Sequence, residues 1–189
     1  MKRILSVFLI FALLVSVTAC GDSSEDTVSE NSSYSNSVKT AVDEALTALK
    51  NFDQEGIERY FEGDYFSEQT LEATGVEKAK AIFSSFSWKL NNTSADGDDF
   101  YLTLDITTVS LVDAMETIKA EINKSDEFIE DLDGYALTRL KEMATDPETE
   151  KVTLSTEFIL RRVNDSWVIT NGDILLTIFS IRAGDTVEE

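Results

Sequence analysis

The chain has 189 residues, with 36 Asp and Glu against 16 Lys and Arg, one cysteine, no histidine and a formal charge of −20. That balance leaves no basic footprint for nucleic acid, and a lone thiol excludes an internal disulfide. Without histidine, serine–histidine and cysteine–histidine machinery cannot be built, nor can a histidine-held zinc, copper or non-haem iron site, and no cofactor is expected.

Met1-Lys2-Arg3 makes a basic start, Ile4 to Val17 runs apolar without a charge, and the small residues Thr18-Ala19 lead into Cys20. These three parts describe a secretory signal peptide over residues 1–19. The apolar run of 14 residues falls short of the roughly 20 that cross a bilayer as a helix. Val17-Thr18-Ala19-Cys20 resembles the lipobox of bacterial lipoproteins. The resemblance implies cleavage between Ala19 and Cys20 and a diacylglyceryl group on the Cys20 sulfur. The mature chain is then expected at the extracytoplasmic face of the cell membrane. One acyl chain holds only marginally and two hold stably, so the diacylglyceryl group suffices as an anchor. Loss of the leader removes Lys2 and Arg3, so the mature chain is still more acidic. Such a field repels nucleic acid and anionic headgroups.

Residues 20–36 follow as an acidic, serine-rich stretch with too little apolar surface to fold, and they are expected to be a disordered tether. Residues 37–189 have the size of a single domain, and one proline in the whole chain argues against a further boundary. Val38, Val42, Ala45, Leu46 and Leu49 recur at helical spacing, with Ser35, Asn36 or Ser37 available as the cap. Asp53 can start a short second helix carrying Ile57, Tyr60 and Phe61. Thr74-Gly75-Val76-Glu77 fits a capping box, and Val76, Ala79, Ile82 or Phe83, and Phe86 follow on one face.

The period then changes. Trp88 and Leu90 alternate with polar neighbours, Asn91 to Asp99 reads as a turn, and Phe100, Leu102, Leu104 and Ile106 alternate with Tyr101, Thr103, Asp105 and Thr107. That is a hairpin with one buried face. Leu111 to Ala144 returns to helical spacing through Met115, Ile118, Ile122, Ile129, Leu132, Tyr135, Leu140 and Met143. An unbroken helix of that length would extend about 51 Å, too long for the domain. A break is expected at Asn123-Lys124-Ser125, with Ser125 capping a second helix that opens on Asp126 and Glu127, carries Arg139 and Lys141 in its last turn and stops at Asp146-Pro147. Val152, Leu154, Phe158 and Leu160 share one face of a further strand, Asn164-Asp165 makes its turn, and Trp167 and Ile169 begin the return. Ile174 to Gly184 suits a buried strand or a last short helix stopped by Gly184, the helix being preferred.

This order describes an α+β domain with a helix pair inserted between two hairpins. The stretches VKTAVDEALTALKNFDQEGIERYF and VTLSTEFILRRVNDSWVITNGDILLTIF resemble the opening helices and closing hairpin of NTF2-like (cystatin-like) lipoproteins of Gram-positive bacteria. The resemblance implies a curved antiparallel sheet wrapped on the N-terminal helices as a cone able to hold a pocket. Such a fold serves enzymes, binding proteins and assembly modules, and so fixes no function.

Phosphate-loop, dinucleotide, hydrolase-elbow and S-x-x-K signatures are all missing. Aligning Asn92, Ser94, Asp96 and Gly97 with a calcium loop puts Thr103 where a bidentate Glu is required. Asp96-Gly97-Asp98-Asp99 therefore reads as a solvated hairpin tip, and no metal site is expected. Glu127, Glu130, Asp131 and Asp133 interleave with Phe128, Ile129 and Leu132, the pattern of the wet side of an amphipathic helix. Tyr60, Tyr65, Trp88, Tyr101 and Trp167 are candidates to line a pocket mouth, although aromatics at this periodicity are usually core. The chain is thus expected to be a non-enzymatic, lipid-anchored binding or assembly module for a protein or a small apolar ligand. Two alternatives stand beside it: an NTF2-like enzyme using a buried carboxylate as general base with a tyrosine donor, and a purely structural envelope protein.

Overall fold

The structure, a computed structural model, describes residues 27–72, 74–126 and 128–183, with side chains from Ser35 onward. The leader, Ala19, Cys20 and Gly184 lie outside these residues. Val38, Val42, Ala45, Leu46 and Leu49 form the buried stripe of α1 (Thr27–Asn51), as their spacing predicts. The helix starts well before residue 37, so residues 27–36, expected to be disordered, are helical, and Ser35, Asn36 and Ser37 lie inside it instead of capping it. Once a helix is nucleated by a buried face, each further turn adds hydrogen bonds at little cost.

Phe52, at φ 52°, turns the chain back, and Asp53 occupies the N-cap position of α2 (Gln54–Tyr60), which buries Ile57. A Cβ at Gly56 would lie 2.7 Å from the Cβ of Ala48. Glycine there is what lets α2 press onto α1. A single turn, α3 (Glu68–Leu71), precedes α4 (Val76–Ser84). The expected capping box does not form: Gly75, at φ 85°, takes the N-cap position without a side-chain bond. Ala79, Ile82, Phe83 and Phe86 are buried as expected. The Phe83 ring meets those of Phe66, Phe86 and Phe179 at centroid distances of 5.8, 5.3 and 5.4 Å.

β1 (Ser87–Asp96) and β2 (Asp99–Val109) form the first hairpin. Asn91 to Asp96, expected as turn, is strand with a bulge between Leu90 and Asn92. Only Gly97 and Asp98 make the loop, with Gly97 at φ 62°. Pairing with a long apolar neighbour overrides the weak strand preference of the Asn-Asn-Thr-Ser-Ala-Asp stretch, which lies at the sheet edge.

Two helices follow, α5 (Leu111–Lys124) and α6 (Leu132–Thr145). The break falls where expected, but Ser125 ends α5 instead of starting α6. Asp131 is the N-cap, its carboxylate accepting from the Gly134 N–H at 2.9 Å, and a Cβ at Gly134 would collide with that carboxylate. Phe128, Ile129 and Glu130 therefore sit in the connection, and only Asp133 of the four expected carboxylates lies in the helix. Glu127 is outside the described residues.

β3 (Lys151–Val163) and β4 (Ser166–Ile169) make the second hairpin. Asn164 and Asp165 turn it with φ of 47° and 66°, the two positive values that a type I′ hairpin loop requires. β2 and β3 pair antiparallel from Asp99↔Arg161 to Val109↔Lys151, joining both hairpins into one sheet of order β1-β2-β3-β4. The last described element is a 3-10 helix (Gly172–Phe179); a helix is the preferred reading of that segment, but it ends at Phe179 instead of running on to Gly184. The domain is α+β. The inner face of the sheet carries Leu102, Leu104, Ile106, Leu154, Phe158 and Leu160 into one core with α1 and α4. Its outer face presents Thr103, Asp105, Thr107, Thr153 and Ser155 toward solvent.

Candidate functional site

Because α1 turns its apolar stripe inward, Asp43, Glu44, Thr47 and Asn51 face outward. The Phe52 turn lays α2 beside them, leaving an open groove of about 570 Å³ lined also by Asp53, Glu55, Arg59 and Tyr60. The Tyr60 hydroxyl donates to the Glu44 carboxylate. That bond, together with partial burial, pushes the phenol above its usual range. The Arg59 guanidinium lies 5.2 Å from the centre of the Tyr60 ring.

The polar side of α1 also holds two tryptophans from opposite edges of the sheet. Trp88 Nε1 on β1 donates to Asp43 Oδ1 at 2.8 Å, and Trp167 Nε1 on β4 donates to Ser37 Oγ at 3.0 Å. Trp167 also lines a second open groove, of about 460 Å³, at the tips of the two hairpins, with Phe100, Asp98, Arg161 and Arg162. There Arg161 binds both carboxylate oxygens of Asp99, at 2.9 and 3.0 Å, which holds the Asp99 carboxyl below its usual range. Phe100 and Trp167 meet edge to face at 5.1 Å.

The five aromatic residues expected at a pocket mouth are thus not brought together. Tyr60 belongs to the α1–α2 groove and Trp167 to the hairpin-tip groove. Trp88 lines a shallow hollow of about 320 Å³ beside Lys89 and Asp105. Tyr65 packs on Phe66 at 6.4 Å, and Tyr101 stands on the outer face of β2. Tyr60, Trp88, Tyr101 and Trp167 lie on helices or strands and Tyr65 in a turn, and the separation between these segments assigns them to different surfaces. Tyr60, Trp88 and Trp167 act as struts that fix the sheet and α2 to one helix.

No carboxylate is buried among the described residues; the buried polar side chains are Thr108, Ser110 and Thr156. Glu77, Asp99, Asp105, Glu116 and Glu121 are held below their usual range, each chiefly by a hydrogen bond from a neighbouring side chain. Asn92, Ser94 and Asp96, weighed against a calcium loop, stand along β1. Among the described residues no cluster of three or more Asp or Glu is arranged to hold a metal ion, and no helix is long and apolar enough to cross a membrane.

Some anchoring residues were not singled out from the sequence. Ser110 caps α5 through the Asp113 N–H at 3.1 Å, and its hydroxyl donates to the Ile181 carbonyl at 2.7 Å. Asp113 accepts from the Ala183 N–H at 2.6 Å. These bonds fasten the C-terminal stretch to α5. The signal was present in Ser110 standing just ahead of a helical run.

No protein-family model matches the chain, and no curated protein matches it. Among solved structures it is similar to the crystal structure of AclR, a putative hydroxylase from Streptomyces galilaeus. That match has a TM-score of 0.37 and 16% sequence identity, covering 77% of this chain and 97% of the other. A likeness at that level carries no conclusion about family or activity.

Proposed function

We propose that this chain is an extracytoplasmic binding module, anchored to the cell membrane by a diacylglyceryl group on Cys20, that recognises a protein partner at its surface without covalent chemistry. The observation that carries this reading is the filled inner face of the sheet. Leu102, Ile106, Phe158 and Leu160 are 0% exposed there, so a ligand has to be met on the outside, where the grooves are open and charged. The small-apolar-ligand version of the reading is disfavoured by the same packing. The acidic balance of the chain favours a partner of opposite charge and opposes nucleic acid. We assign the architecture to the NTF2-like cone on the order of its parts: opening helices first, one antiparallel sheet closing over them, and α5 and α6 inserted between its hairpins. The enzyme alternative needs a deeply buried acid, and the buried polar side chains among the described residues are Thr108, Ser110 and Thr156.

The test is fractionation of the producing cells after feeding a clickable fatty acid. The wild-type chain should carry the label and sediment with membranes. Cys20→Ala should lose the label and leave the membrane fraction. A labelled Cys20→Ala chain, or an unlabelled wild-type chain, overturns the anchor.

A further inference from the structure

The connection between α5 and α6 carries the most exposed large apolar side chain among the described residues: Phe128 is 92% exposed, and Leu132 beside it is 52% exposed. Asp126, Glu130, Asp131 and Asp133 flank them, all exposed. The stem beneath is fixed. Glu121 on α5 accepts from Arg139 Nε and Nη2 on α6, both at 2.8 Å, and from the Tyr135 hydroxyl at 3.3 Å. The Asp131 cap then sets where α6 begins. The Phe128 ring is therefore shown to solvent from a clamped helix pair. An aromatic side chain that contributes nothing to the core is an anchor available for an interface.

We propose that this acid-flanked phenylalanine is the docking determinant for a protein partner whose surface offers an apolar socket rimmed by lysine and arginine. The inference deepens the binding-module reading and rests on it for the partner being a protein. Charge complementarity selects the occupant. Burying Phe128 brings the flanking carboxylates against the partner, and carboxylates tolerate that only beside cations. An anionic membrane surface would repel them. A second copy is opposed by the formal charge of −20 on each chain.

The experiment uses the full chain in its own cells, with a benzophenone amino acid placed at 128, and in separate variants at Glu55 in the α1–α2 groove and Ser94 on β1. Irradiation should give an adduct at 128 with one other protein, through a peptide that combines apolar residues with lysine or arginine. Adding Asp126→Lys and Glu130→Lys should abolish that adduct. With the partner identified, Phe128→Ala should weaken binding about 30-fold, close to 2 kcal/mol at about 1.4 kcal/mol per tenfold. Phe128→Trp should retain binding, and an unchanged melting midpoint for Phe128→Ala excludes unfolding. Adducts at 128 with lipid, with a second copy, with residues 1–26 of the same chain, or with a partner surface lacking cations would each overturn the proposal. So would no adduct at 128. Adducts at 55 or 94 but not at 128 would overturn the docking site and leave the binding-module reading standing, whereas none at any position would remove both.

Discussion

Thr156 gives the sharpest test of the packing that closes the inner face of the sheet. It lies on β3 opposite Leu104, between the inward-facing Leu154 and Phe158, and is 3% exposed. Its hydroxyl has no hydrogen-bond partner. A buried hydroxyl left unpaired costs about 1–3 kcal/mol, and a methyl in its place adds up to about 0.8 kcal/mol of apolar burial. Allowing for imperfect fit, Thr156→Val should stabilise the chain by about 1–2 kcal/mol. For a domain of this size that raises the melting midpoint by about 2–8 °C. Urea unfolding followed by far-ultraviolet circular dichroism measures the change, with an unchanged m-value showing that the folded state stays as compact. Thr156→Ser, which keeps the hydroxyl and deletes the methyl, should lower the midpoint instead. If Thr156→Val is neutral or destabilising, the hydroxyl is satisfied by water inside the sheet. The inner face would then be wet, and a ligand cavity would return as the better account of function.

Three further outcomes follow from the same contacts. Phe83→Ala removes a fully buried ring that meets three other phenylalanines edge-on or tilted, and should destabilise by about 3–5 kcal/mol in denaturant titration. Asp131→Ala loses the cap of α6 and should cost about 1 kcal/mol, with faster hydrogen exchange confined to the first turn of that helix. Glu121 is held below its ordinary value of 4.5 chiefly by the hydrogen bond from Arg139. A carboxyl depressed in the folded state contributes stability that is present above its unfolded value and is lost as pH falls through the folded one. Melting midpoints should therefore drop below about pH 4.5, and Glu121→Gln should flatten that drop while lowering stability at neutral pH. A Gln variant that tracks the wild-type acid profile would show that the pair stores nothing.

Local chemistry was legible in the α1 stripe and the second hairpin turn, but not at the caps of α4 and α6. The α1 stripe follows from its spacing, and Asn164-Asp165 can adopt the left-handed pair of conformations its turn needs. What the sequence hid was set by partners. The second half of β1 is polar and turn-like, and it is a strand because β2 pairs with it. The start of α6 was a competition between Ser125 and Asp131, settled by a glycine at 134 that leaves room for the Asp131 carboxylate. That shift leaves Phe128 in the connection, exposed. The α1–α2 groove depends on a left-handed phenylalanine at 52, a conformation that composition does not advertise. Of the candidate aromatics, Tyr60 lies on a helix and Trp88, Tyr101 and Trp167 on strands, whereas Tyr65 lies in the turn between α2 and α3. Which of them share a surface is a property of the assembled sheet, beyond the reach of periodicity.

The most direct test of the account is mass spectrometry of the N-terminal peptide of the chain purified from membranes of its native host. The account predicts a mature chain that begins at Cys20, with a diacylglycerol joined to the cysteine sulfur by a thioether. A free thiol at Cys20, or residues 1–19 still attached, would contradict it.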